Sequence, residues 1–131
     1  MYGSALPPRD PSLVVPIDIR PGSEINPVNP FSNGLIPVAI LGKAAFDAGG
    51  VDPDTLAFGP DQAAPLHAQG HHLDDINDDG FADLVAHFRT AETGIAFDAI
   101  DACLSGETLE GTAFEGCDDV SVKRRKAEST R

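Results

Sequence analysis

The chemistry in this chain is concentrated in Asp74 to Leu84, which reads DDINDDGFADL. Asp75, Asn77 and Asp79 fall at positions 1, 3 and 5 of a calcium loop, Gly80 at 6, Phe81 at 7 and Asp83 at 9. Alternate side chains in a tightly curved loop converge on one point, where hard oxygens surround a hard cation at about 2.3 to 2.6 Å. The glycine allows the sharp bend, and the residue at position 7 offers its carbonyl oxygen. The expected ligands are therefore Asp75, Asn77, Asp79, Phe81 through its backbone, and Asp83, with Ca²⁺ as the cofactor.

An EF-hand would place a bidentate Glu at position 12, but that position is Ala86, inside a strand-like run. A helix-loop-helix is thereby excluded, and the loop is expected to join two strands, HHL before it and ADLVAHF after it. Glu92, in TAETGI just beyond the second strand, is a candidate long-range ligand, and Asp74 or Asp78 could join through water. The crowded carboxylates repel one another in the empty loop, so a bound ion is expected to order it and stabilise the fold by mass action.

The elements that must hold this loop read as strands. In LVVPIDIR, Val15, Ile17 and Ile19 alternate with Pro16, Asp18 and Arg20, and the proline favours an edge. Leu35 to Leu41 is a nearly continuous apolar run bracketed by Gly34 and Gly42, which suits a strand buried on both faces. One helical turn is expected around Ala44 to Phe46, followed by a short TLAF strand with Leu56 and Phe58 on one face. Leu84, Ala86 and Phe88 form the inner face of the next strand, and Ile100, Ala102 and Leu104 that of the one after.

The last two strands can be given a register. ETLEGTAFE carries a Glu110-Gly111 turn, and centring the hairpin there places Ile100 opposite Val120 on the inner face and Cys103 opposite Cys117 on the outer face. Directly opposed cysteines at a non-hydrogen-bonded position come within disulfide reach, so a Cys103 to Cys117 bridge is expected. Such a bridge implies a compartment outside the cytoplasm.

Composition bounds the rest. The 131 residues suffice for one domain, and their 13 Gly and 11 Pro leave few places for long helices. About seven short strands with turns between them predict an all-β fold, an antiparallel Ig-like β-sandwich with the calcium loop between two strands. Residues 13–122 form this domain, flanked by a disordered N-terminal segment over 1–12, with no secretory signal in MYGSALPPRDPS, and a basic disordered tail over 123–131. The net charge of -12 disfavours nucleic acid and favours cations, and no apolar run is long enough for membrane insertion. A monomer is expected.

Taken together, IDIRPGS (Ile17 to Ser23), GLIPVAILG (Gly34 to Gly42), LDDINDDGFADLV (Leu73 to Val85), ETGI (Glu92 to Ile95) and LSGETLEGTAFEG (Leu104 to Gly116) carry a resemblance. The chain resembles a domain that recurs in uncharacterised secreted bacterial proteins, some with surface-sorting signals. Its acidic loop is similar in ligand pattern to the calcium loops of FG-GAP repeats and dockerins. The resemblance implies a secreted, calcium-binding, non-catalytic module.

Other chemistry is weakly supported. His67, His71, His72 and His87 invite a zinc-hydrolase reading, but no HExxH is present, and adjacent His71 and His72 in a strand point to opposite faces. Nucleophile-elbow and phosphate-loop motifs are absent. The expectation is a structural or adhesive module of a secreted or cell-surface protein, whose partner is a cell-surface protein or a glycan. The alternative is a calcium-dependent carbohydrate-binding module, disfavoured because Trp is absent and Phe58, Phe88 and Phe114 read as core residues.

Overall fold

A computed structural model describes residues 13–23, 25–66 and 71–122. The segments 1–12 and 123–131 and residue His67 lie outside the described residues.

The first alternating run is two strands rather than one. β1 (Leu13–Val14) pairs in parallel with β9 (Ala113–Asp119), whereas β2 (Ile17–Ile19) pairs antiparallel with β4 (Leu35–Ile40) in another sheet. The crossing falls at Val15 and Pro16: Val15 N–H donates to the Glu115 carbonyl, and Leu41 N–H donates to the Pro16 carbonyl. Proline suits this place because it has no N–H to leave unpaired between sheets. The apolar period runs through the crossing because both layers face one core, so alternation alone could not reveal it.

The remaining strands are β3 (Pro27–Val28), β5 (Val51–Phe58), β6 (His71–Asp74), β7 (Asp83–Arg89), β8 (Asp101–Thr108) and β10 (Ser121–Val122). The described residues thus hold ten strands, three more than expected, in sheets ordered β1-β9-β8-β5 and β2-β4-β7-β6, with a small parallel pair β10-β3. The excess comes from the split at Pro16 and from the two-residue strands β3 and β10. The fold is all-β and its two four-stranded sheets are mostly antiparallel, packed face to face as a sandwich.

The core lies between these layers. Ile19, Ile36, Val38, Ile40 and Phe88 from one sheet meet Phe58, Leu104 and Phe114 from the other, all essentially without solvent exposure. Phe58 and Phe88 touch across the interface with ring centroids 5.2 Å apart and their planes tilted by 38°. Pro37 sits in the interior strand β4, where a missing N–H would normally cost a ladder bond. Here it lies opposite Arg20, just past the end of β2, and the Arg20 carbonyl accepts instead from Ser23 N–H. The segment around Ala44 to Phe46 is a tight turn closed by reciprocal Lys43 and Phe46 backbone bonds, not a helical turn.

The β8-β9 hairpin has the expected register along its whole length, from Asp101 opposite Asp119 to Glu107 opposite Ala113. Cys103 and Cys117 are disulfide-bonded, with a Cα separation of 4.0 Å. Thr108 N–H bonds to the Thr112 carbonyl, and Val120 N–H to the Ile100 carbonyl, which puts Cys103 and Cys117 at a non-hydrogen-bonded pair. Closing so short a loop contributes about 2 to 3 kcal/mol in the chain-entropy model. Val120 is buried, but Ile100 is 78% exposed rather than inward. The strand begins only at Asp101, directly after a turn closed by Ala99 N–H to the Ala96 carbonyl, so the alternation does not extend to Ile100.

Asp118 ties the sheets together at their edges. Its Oδ2 accepts from Ile19 N–H and from the buried Asn26 Nδ2, both at 3.0 Å. The Asp18 carboxyl is held above its ordinary value of 3.8, chiefly by burial and further by the negative charge of Asp118. A raised carboxylate pKa means that ionisation opposes folding, a penalty absent in acid and present above the folded pKa. Asp18→Asn is therefore expected to raise the melting temperature at pH 7, with the gain disappearing as pH falls below the ordinary carboxylate range. Melts of both proteins from pH 3 to pH 8 check this; an unchanged or lowered melting temperature at pH 7 contradicts it.

Candidate metal centre

The acidic loop connects β6 to β7, which pair antiparallel from His71 opposite Ala86 to Asp74 opposite Asp83. Its backbone bends twice into the left-handed region, at Asp78 (φ 58°) and Gly80 (φ 90°). The glycine meets the second bend without a Cβ clash. Local hydrogen bonds hold the curl: Asp79 N–H and Gly80 N–H donate to the two oxygens of Asp75 at 3.1 and 2.9 Å, and Phe81 N–H donates to Asp79 Oδ1 at 3.0 Å.

Asp83 anchors the loop to the sandwich. It is fully buried at the start of β7, where Oδ1 accepts from Gly42 N–H at 2.8 Å and Oδ2 from Ile76 N–H at 3.0 Å. Gly42 approaches so closely that a Cβ there would lie 2.2 Å from the Ala82 carbonyl oxygen. This glycine, read from sequence only as a strand boundary, is thus required by contact with the loop.

Oxygens of Asp75, Asp79 and Asp83 lie within 4.8 Å of one another. One terminal heteroatom of the Asn77 carboxamide stands 3.1 Å from Asp79 Oδ1, 3.2 Å from Asp75 Oδ1 and 3.3 Å from Asp83 Oδ2. With nitrogen at that point, its two protons serve the carboxylates. With oxygen there, four oxygens meet with no proton between them, an arrangement that a central cation stabilises. Oxygens about 2.4 Å from one ion and roughly 80 to 90° apart are separated by about 3.1 to 3.4 Å, the range in which the Asn77 heteroatom stands from each of the three carboxylates.

The expected ligands are not all brought together. Asp75, Asn77, Asp79 and Asp83 converge, and Phe81 stands in the same loop with its N–H on Asp79. Glu92 does not join them, which corrects its assignment as a ligand. It lies in a 3-10 turn, Thr90–Glu92, beyond the far end of β7, with Oε2 3.9 Å from Arg89 Nε. Six residue steps of extended strand carry that end roughly 20 Å from the loop.

The other metal-like grouping among the described residues, Cys103, Glu115 and Cys117, offers no thiolate because the sulfurs are bonded to each other. No group of three potential ligands among the described residues contains a histidine. His72 is exposed on β6, and half-buried His87 on β7 has a buried Nδ1 without a partner.

Fold and site together define an all-β sandwich with an acidic, oxygen-rich hairpin loop at one end. Comparison of the chain with protein-family models, with curated proteins and with solved structures finds no match.

Proposed function

We propose that this chain is a calcium-binding, non-catalytic module of the Ig-like sandwich type, acting as a structural or adhesive unit of a secreted or cell-surface bacterial protein. The observation that carries the proposal is the convergence of Asp75, Asn77, Asp79 and Asp83 on one point. The disulfide and the lack of any described helix long and apolar enough to cross a membrane are compatible with an extracellular setting.

The ion has a structural role in this reading. It neutralises three carboxylates that the fold forces together, and it fixes the β6-β7 connection through Asp83 to the buried end of β4. Calorimetric titration of EDTA-stripped protein with Ca²⁺ tests it. Saturable binding is expected, with stabilisation of about 2.7 kcal/mol at a hundredfold excess over Kd. Asp75→Ala should abolish both the heat and the shift in melting temperature. Wild-type protein that gives neither refutes the proposal.

A further inference from the structure

Outside the acidic loop, we propose that Asn26, Asp118 and Asp18 hold a second divalent cation of the calcium type, at the edge where the two sheets are tied together. The starting point is an orphaned acceptor. Asn26 is 4% exposed, and its Oδ1 is buried without a hydrogen-bond partner. The carboxamide cannot turn over to relieve this. Its Nδ2 donates to Asp118 Oδ2 at 3.0 Å and to the Asp119 carbonyl at 2.7 Å, so a turned amide would set oxygen against both acceptors. The backbone is held as well, because Asn26 N–H donates to Ser23 Oγ and the Asn26 carbonyl accepts from Ser121 N–H. A buried acceptor with nothing to accept calls for a water or an ion.

The surroundings favour the ion. The terminal atoms of a carboxamide are about 2.2 Å apart, which puts Asn26 Oδ1 within about 5 Å of Asp118 Oδ2. Oxygens bound to one Ca²⁺ at about 2.3 to 2.6 Å stand up to about 5 Å apart, so a single ion can reach both. Asp18 precedes Ile19, whose N–H donates to the same Asp118 oxygen, and it adds a half-buried carboxylate that feels the charge of Asp118. Among the described residues no basic side chain is paired with either carboxylate. A water would give Asn26 Oδ1 a proton but leave two like charges facing each other partly out of solvent. A divalent cation partners all three groups at once.

The three residues come from different parts of the fold. Asp18 lies in β2, Asp118 in β9, and Asn26 directly before β3, so the ion would bridge both four-stranded sheets and the small parallel pair. The loop ion, by contrast, sits within one hairpin.

Titration of the EDTA-stripped full chain with Ca²⁺ at constant ionic strength, followed by ¹⁵N NMR, reads the two sites separately. Gly80 N–H reports the loop, and the Asn26 side-chain amide and Ile19 N–H report the second site. Saturable shifts are expected at Asn26 and Ile19, and they should persist in Asp75→Ala, where Gly80 no longer responds. A silent Gly80 in wild type would count against the loop alone. Asp18→Asn removes a like charge and should stay folded, while weakening the Asn26 response at least tenfold and leaving that of Gly80 unchanged. Asn26→Gly accepts the left-handed backbone at φ 49° and should abolish the response of Ile19. The gain in melting temperature expected of Asp18→Asn belongs to the ion-free protein and should shrink in saturating Ca²⁺. Four outcomes overturn the proposal: no shift at Asn26 and Ile19 in wild type, loss of their response in Asp75→Ala, an undiminished response in Asp18→Asn, or equal shifts on adding NaCl alone.

Discussion

Asp83→Ala is expected to lower the unfolding free energy by about 3 to 4 kcal/mol even in EDTA, and to abolish calcium binding as well. The first effect follows from burial. The carboxylate accepts from Gly42 and Ile76, and its removal strands two backbone donors in or near the interior, at about 1 to 3 kcal/mol each. A domain of this size has about 5 to 15 kcal/mol of stability in total, so the loss is a large share. Asp83→Asn keeps one acceptor oxygen and should fall between, still without the ion. Urea unfolding of both variants in EDTA measures the structural part, and titration measures the other. A wild-type midpoint for Asp83→Ala in EDTA would show that the contacts of Asp83 contribute nothing beyond the metal.

Gly116→Ala should be nearly as damaging without touching the loop. Gly116 lies on the inner face of β9, where an added Cβ would stand 2.3 Å from the Val15 carbonyl oxygen and 2.8 Å from Ile17 Cγ2. Neither atom can yield easily: Val15 N–H is bonded to Glu115, and Ile17 is core. One methyl would wedge the first sheet from the second at the Val15-Pro16 crossing, and overpacking of this kind costs about 1 to 3 kcal/mol, occasionally more. Calcium affinity should stay within twofold of wild type wherever the variant is folded, because β9 makes no part of the acidic loop. Thermal melts and calcium titrations of the same sample check both halves; a wild-type melt contradicts the packing argument.

What could be read from the sequence was local or symmetric. The ligand spacing from Asp75 to Asp83 is a property of nine consecutive residues, and the Cys103-Cys117 pairing follows once the Glu110-Gly111 turn is fixed. What escaped depends on distance through space. Gly42 stands 41 residues from the Asp83 it binds, and Asn26 stands 92 from Asp118, so no window along the chain contains either pair. Glu92 misled for the same reason in reverse. It is near the loop in sequence, but the intervening strand is extended, which turns nine residues of chain into a large separation. Arg20 was legible as the end of an alternating run, but its left-handed backbone depends on Pro37 and Ser23, which the run does not contain.

The parallel pairing of the two terminal strands has a mechanical consequence. Leu13 is level with Phe114 near the start of β9, whereas β10 follows the end of β9 and lies along β3, so the fold is entered and left at opposite ends. Tension applied through Leu13 and Val122 therefore runs along β1 and β10 and loads their bonds to β9 and β3 together, in shear. Peeling, which would break the same bonds one after another, is not the geometry imposed. The Cys103-Cys117 bridge locks β9 to β8, so the strand that receives the load cannot be drawn out of its sheet while the bridge is intact.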